Sequence, residues 1–156
     1  LMAKPDKQPK FGANPPGKKK PVVREHCFED GHPLAWRFGQ VDKAGPFAWD
    51  IHPFDKFHEV VHKLIEFEDK NWNEITANGS HPIETSQLST QARSRLIEIE
   101  RDDLDYLLSL RLSGPNRVWC VKTGHIIRPL WWDENHQVYP VKKDPADRKK
   151  EKRRKK

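Results

Sequence analysis

Residues 107–141 contain short apolar runs separated by turn residues, and this stretch constrains the fold more than any other part of the chain. Within it, Leu108, Leu110 and Leu112 alternate with polar residues, which is the period-two pattern of a strand with one solvent-exposed face. Residues 117–122 and 125–132 form two further runs. A sheet built from such runs has an apolar face that other elements must cover.

Turn residues lie between these runs and reverse the direction of the chain. Gly114-Pro115-Asn116 has turn chemistry, and Thr123-Gly124 favours a tight hairpin. Residues 133–135 turn the chain again before a last run at 137–141. Consecutive strands with short loops predict an antiparallel meander of three or four strands. Pro129 interrupts the third run, which predicts a bulge or an edge position there.

Two helices are predicted upstream of the meander. Residues 54–70 repeat apolar residues at intervals of three and four, and this pattern extends to about residue 76. A second helical region runs from about residue 85 to 105, and residues 34–40 and 47–50 predict a strand, a turn and a strand. The predicted fold class is α+β, with the two main helices packed on one face of an antiparallel sheet made from the C-terminal meander and the N-terminal strand or hairpin.

Charge divides the chain of 156 residues into three parts. Residues 1–24 hold seven Lys/Arg and one Asp, and residues 142–156 hold ten Lys/Arg and three Asp/Glu. Residues 25–141 hold twelve basic and nineteen acidic residues. We therefore expect a single acidic domain at 25–141 between two disordered basic tails. Because residues 106–141 are the only part of that domain that leans positive, the tails and the sheet are the expected contacts with a polyanion.

Several classes of protein are excluded by the composition. No apolar run approaches the length of about 18 residues that a bilayer-crossing helix needs, and no secretory signal pattern is visible. We therefore expect no membrane partner and a cytoplasmic location. Two cysteines, Cys27 and Cys120, do not indicate a disulfide scaffold, and Cys120 is expected to be a reduced residue packed within a strand.

Two groups of residues raise the question of a metal. His58-Glu59-Val60-Val61-His62 matches H-E-x-x-H, which on a helix places two His on one face for zinc and a Glu as base. This resemblance to zinc metalloproteases covers only that string, and the favoured interpretation is two His that border the apolar stripe of a surface helix. His26, Cys27 and His32 form the other group, whose spacing fits no strong zinc rule. Neither a metal nor a cofactor is predicted.

Cationic, imidazole and aromatic side chains recur along the meander. Guanidinium and ammonium groups bind phosphate and an indole stacks on a base, so the predicted nucleic-acid-binding residues are Arg111, Arg117, Trp119 and Lys122. RNA cleavage at a 2′-hydroxyl needs a base, an acid and a cation on the phosphate, so the predicted catalytic residues are His81, His136 and Tyr139. The alternative is a sheet whose arginines are only solvated and whose tryptophans only pack.

The string RLSGPNRVWCVKTGHIIRPLWWDENHQVYP at 111–140 resembles the C-terminal block of a family of small uncharacterised bacterial and phage proteins. Those proteins carry an R-L-x-G-x-x-R-[IV]-W strand pair and an L-W-W-D-x-x-H-x-V-Y-P ending, and the resemblance covers roughly residues 35–141. The element order is also similar to that of RelE/ParE-like toxins. That second resemblance implies an open sheet face that engages RNA or the ribosome, and a protein antitoxin as a partner.

The leading prediction is an RNA-directed protein similar to RelE-like toxins, and its sharper form is a metal-independent endoribonuclease. The alternative is a non-catalytic module that binds nucleic acid or the ribosome, in which the basic tails supply salt-dependent affinity. The zinc metalloprotease ranks last.

Overall fold

The computed structural model describes residues 32–140, so the predictions about residues 1–24, 142–156, His26 and Cys27 lie outside the described residues. Within this range the chain is α+β, as predicted, with three α-helices and five strands. The helices are α1 Phe54–Glu68, α2 Trp72–Ala77 and α3 Thr90–Glu98. The strands are β1 Ala35–Trp36, β2 His81–Glu84, β3 Tyr106–Arg111, β4 Arg117–Thr123 and β5 Ile126–Asp133. In this part of the chain, none of the helices has the length and apolarity needed to cross a membrane.

The strands form one sheet in the order β1-β5-β4-β3-β2. The meander of β3, β4 and β5 is confirmed, and β2, for which the sequence analysis predicted no strand, pairs antiparallel with β3. β1 pairs in parallel with β5, so the sheet is mixed rather than purely antiparallel. The predicted strands at 47–50 and 137–141 are wrong, because neither segment joins the sheet over the described residues.

The predicted long helices are shorter than their apolar patterns. The chain leaves α1 after Glu68 and starts α2 separately, because Asn71 and Glu74 form a capping box in which each side chain accepts from the other's backbone N–H. A 3₁₀ turn at Thr85–Gln87 precedes α3, and the Ser89 side chain accepts from the Ala92 N–H at its start. Capping side chains therefore set the start of α2 and of α3 at positions that the apolar periodicity does not mark.

Apolar clusters cover both faces of the sheet, so the prediction that the helices pack on one face is wrong. On the first face, α1 and α2 bury side chains such as Val60, Leu64 and Ile75 against Leu108 and Leu110 of β3. On the second face, buried residues from α3 and the loops pack against the strand positions that alternate with those of the first face. The loop and helix residues are Phe47, Ala92, Leu96 and Val138, and the strand residues are Leu107, Trp119 and Trp131. Within the part of the chain that the structure describes, neither face of the sheet is therefore the open platform that the toxin resemblance implied.

A β-bulge lets β5 contribute neighbouring residues to one core cluster. The register of β4 and β5 shifts between Trp119, which faces Trp131, and Cys120, which faces Pro129. Leu130 and Trp131 are adjacent in sequence, yet both lie in the second cluster, whereas an unbroken strand would place them on opposite faces. The predicted bulge at Pro129 is therefore confirmed, and the alternative edge position is not, because β5 has a partner on each side.

A buried carboxylate joins the loop before α1 to α3 and β5. Asp42 accepts from Arg95 through two bonds of 2.8 Å and from Trp131 Nε1 at 3.0 Å. Gly45 lies against the same arginine with φ of +81°, and a Cβ at this position would stand 2.4 Å from Arg95 Nε. The left-handed backbone at this position and the guanidinium that Asp42 holds beside it therefore favour glycine at this turn.

Candidate anion-binding cleft

A cleft of ≈ 370 Å³ opens between the C-terminal part of α1 and the turn that joins β3 to β4. Its walls are formed by residues of both elements and of the α2–β2 loop: Lys63, Glu66, Phe67, Lys70, Asn78 and 111–114. The volume lies within the range of about 300–1,000 Å³ that is usual for ligand sites. This cleft brings one predicted nucleic-acid-binding residue, Arg111, together with two lysines.

The two lysines of the cleft lie at the C-terminal end of α1, Lys63 within the helix and Lys70 two residues after its last residue. Lys63 Nζ lies 3.4 Å from Glu66 Oε2, which is one turn further along the exposed side of the helix. Lys70 Nζ lies 5.2 Å from the centre of the Phe67 ring, a cation–π distance. Because Phe67 itself is buried in the first core cluster, it gives Lys70 a fixed support.

Arg111 is placed at the opposite wall by the end of β3. Its backbone N–H donates to the buried Ser80 Oγ at 2.9 Å, which fixes the strand end against the α2–β2 loop. Its side chain runs along Gly79, where an added Cβ would lie 3.4 Å from both Cδ and Nη1 of the arginine. Arg111 is exposed, and within residues 32–140 no carboxylate pairs with its guanidinium.

The charge of the cleft is opposite to that of its surroundings. Three cationic side chains and one carboxylate line it, whereas residues 32–140 together hold twelve Lys/Arg and sixteen Asp/Glu. Clustered cations on an otherwise acidic body focus a positive potential where they meet. The arrangement therefore favours an anionic ligand at this cleft over other parts of the described surface.

Arg117 is buried, whereas a residue that binds nucleic acid was expected to be exposed. It is 9% exposed, and its Nη1 donates to the carbonyl oxygens of Gly114 at 2.7 Å and Asn116 at 3.0 Å. Burial lowers the pKa of Arg117 and the neighbouring charge of Arg111 lowers it further, while Asp133 acts in the opposite direction. Its bonds shape the β3–β4 turn that forms one wall of the cleft.

Trp119 and Lys122 also differ from their predicted placement. Trp119 is 0% exposed within the second core cluster, and its Nε1 donates to Asp133 Oδ2 at 3.2 Å, so it cannot stack on a base. Lys122 lies at the other end of β4 from Arg117, with Nζ 4.9 Å from the centre of the Trp72 ring. It therefore packs beside α2 and does not line the cleft.

The three predicted catalytic residues are not gathered into one site. His81 is exposed on β2, and its Nδ1 lies 3.1 Å from the carbonyl oxygen of Gly79, the glycine that Arg111 contacts. His136 has a φ of +57° in the turn after β5, and its buried Nδ1 has no hydrogen-bond partner within residues 32–140. Tyr139 packs against the second core cluster. No contact among the described residues joins His81 to the other two.

Asp133 has a structural role within the L-W-W-D-x-x-H-x-V-Y-P string, because its carboxylate binds other residues of the domain. Its carboxylate accepts from the backbone N–H of Gln137 at 2.8 Å and of Val138 at 2.9 Å, in addition to Trp119 Nε1. Val138 is thereby held in the second core cluster. These bonds occupy the N–H groups of Gln137 and Val138, and residues 137–140 do not extend the sheet as predicted.

The H-E-x-x-H string lies on α1, so its two His share a helix face as predicted. Within residues 32–140, however, no three His, Cys, Asp or Glu residues lie close enough to hold a metal together.

Cys120 is a free, buried thiol, as predicted, and burial raises its pKa well above the ordinary value.

Lys63 and Lys70 are the site residues that sequence reasoning missed. They are seven residues apart, so a search for cations on one face of the predicted helix at 54–70 would have paired them, although α1 itself ends at Glu68. Their proximity to Arg111 has no sequence signal, because it depends on how α1 packs across the sheet.

The chain matches no protein-family model, curated protein or solved structure with which it was compared. The resemblances to the bacterial and phage family and to RelE/ParE-like toxins therefore stay predictions.

Proposed function

We propose that this protein is a non-catalytic RNA-binding module that holds the phosphate backbone in the cleft between α1 and the β3–β4 turn. The observation that carries the proposal is the convergence of Lys63, Lys70 and Arg111 on one cleft with Glu66 as the single carboxylate in its lining. Arginine and lysine are the usual phosphate ligands, and contacts to phosphate supply affinity without reading sequence.

The charge of the rest of the chain supports the same proposal. Residues 1–24 and 142–156 hold seventeen Lys/Arg against four Asp/Glu, and they flank a domain that is itself acidic. In such a chain the basic segments attract a polyanion over a long range. The cleft between α1 and the β3–β4 turn then binds a phosphate group of that polyanion.

The test compares Arg111→Ala with Arg93→Ala in the full chain. Arg93 is an exposed arginine on α3, on the other side of the sheet, so its removal changes the net charge equally without touching the cleft. Binding of a single-stranded RNA oligonucleotide is followed by fluorescence anisotropy across a range of salt concentrations. We expect Arg111→Ala to lower affinity and to reduce the slope of log K against log salt by about 0.7 to 1, because one phosphate contact is lost.

Equal affinities and equal slopes for the two variants would contradict the proposal, because the cleft would then contribute nothing beyond net charge. The endoribonuclease prediction is separated in the same reactions by running the RNA on a gel. A binding module leaves the RNA intact. Cleavage that disappears in His81→Ala would instead favour an enzyme, since His81 is the one predicted catalytic residue beside the glycine that Arg111 contacts.

A further inference from the structure

Two histidines on the exposed side of α1 face each other through the same ring atom. His58 Nε2 and His62 Nε2 lie 3.2 Å apart, with ring centroids 4.3 Å apart. The two residues are one helical turn apart and are both exposed, so neither ring is part of the core. Only one proton can lie between the two nitrogens, and at least one Nε2 therefore presents a lone pair.

The spacing of these nitrogens matches two neighbouring ligands of one transition-metal ion. Imidazole nitrogens bind zinc at about 2.0–2.1 Å, so two such bonds that end 3.2 Å apart enclose an angle of roughly 100° at the metal. That angle lies between the octahedral and tetrahedral values. We propose that His58 and His62 chelate a single divalent transition-metal ion, with the remaining coordination positions filled by water.

The neighbouring residues are compatible with a chelate and not with the metalloprotease. The Phe54 ring packs against His58 at a centroid distance of 6.3 Å, which supports the first ligand from the preceding turn. Glu59, which a metalloprotease would use as its base, has Oε2 3.9 Å from Lys56 Nζ instead. Since no further His, Cys, Asp or Glu among the described residues completes the set, the site is an open two-ligand chelate of the kind that imidazole forms with Cu²⁺, Ni²⁺ and Zn²⁺.

The experiment titrates the full chain with Zn²⁺ by calorimetry and compares His58→Ala, His62→Ala and His81→Ala. His81 is an exposed histidine away from α1, so its variant controls for the loss of any imidazole. We expect each α1 variant to weaken the site by about a hundredfold, because binding through two linked groups exceeds either alone by at least that factor. His81→Ala should bind as the unchanged protein does. Acidification should release the ion, because the ligating rings must be neutral.

A second measurement distinguishes metal bound by His58 and His62 from metal bound by residues outside α1. With Cu²⁺ as the probe, the electron paramagnetic resonance spectrum should show coupling to two nitrogens, and this signature should be lost in both α1 variants. Alanine is the best helix former, so the variants retain α1, which circular dichroism verifies. Metal binding that persists unchanged in His58→Ala and His62→Ala, or the absence of any Zn²⁺ site in the unchanged protein, would overturn the proposal.

Discussion

Asp42 shows how one buried residue fixes contacts between distant parts of the chain. It is 7% exposed and accepts from Arg95, Trp131 Nε1 and the Ala44 N–H. Burial by itself raises the pKa of Asp42, but the bonds from these donors and the charge of Arg95 lower it by more, so the pKa lies below its ordinary value of 3.8. The ionised form is therefore the one that the fold prefers.

This preference predicts how stability depends on pH. The contribution of a carboxyl with a lowered pKa is fully present above its unfolded-state pKa, near 3.8, and is lost as the pH falls through the lower folded-state pKa. We expect Asp42→Asn to reduce the free energy of unfolding by about 3 kcal/mol at pH 6, because the variant removes the buried carboxylate to which Arg95 donates twice and leaves Arg95 only its bond to the exposed Glu98. In urea unfolding, the difference from the unchanged protein should shrink as the pH is lowered below 3.8.

Asp102→Asn is the matched control, since Asp102 is exposed and near the end of α3. It should change stability little at either pH. A difference between Asp42→Asn and the unchanged protein that stays constant from pH 6 into the acid range would show that the ionised carboxyl is not what stabilises this contact.

The burial of single residues also differs from what the strand pattern suggested. Arg117 and Trp119 alternate on a strand as exposed residues would, but both are buried and bonded to backbone or to Asp133. Alternation assigns residues to two faces and does not say that one of them is open. Only the packing of α3 and the loops against the second face decides that these side chains are structural.

At the scale of elements, caps set boundaries that periodicity does not. The apolar pattern of α1 continues into α2, yet the capping box of Asn71 and Glu74 starts a new helix. We expect Asn71→Ala to lower the free energy of unfolding by about 1 kcal/mol, the usual value of an N-cap. Asn73→Ala, an exposed change inside the same helix, should be neutral or slightly stabilising because alanine has the higher helix propensity.

Thermal unfolding of the two variants measures this difference. Trp72 of α2 packs beside Lys122, and Ile75 of α2 is buried in the first core cluster. Loss of the cap should therefore lower the melting temperature of the whole domain, because α2 packs against the sheet. Equal melting temperatures for Asn71→Ala and Asn73→Ala would mean that tertiary packing, and not the cap, holds α2 in place.

At the scale of the whole molecule, acidic residues predominate at 25–141, whereas basic residues predominate in the segments 1–24 and 142–156. If the cleft and the basic segments act together on RNA, the segments should contribute affinity that is independent of RNA sequence. We expect replacement of the seven lysines in residues 142–156 by glutamine to weaken binding of all RNA oligonucleotides alike and to flatten the salt dependence further than Arg111→Ala does.

Measuring both changes separately and together shows whether the cleft and the segment bind the same RNA. If they do, the combined variant should have a salt dependence flatter than either single variant. If Arg111→Ala has no effect once the lysines are replaced, the cleft is not an independent contact, and the proposed function would reduce to attraction by the basic segment.

The α+β class, α1, the β3–β4–β5 meander and the bulge at Pro129 could be predicted from the amino-acid sequence, because each depends on local periodicity or on the chemistry of nearby residues. The covering of both sheet faces, and the cleft that Lys63 and Lys70 line together with Arg111, could not be predicted in this way. These features join segments far apart in sequence. Their cause is the packing of one element on another, which no local pattern encodes.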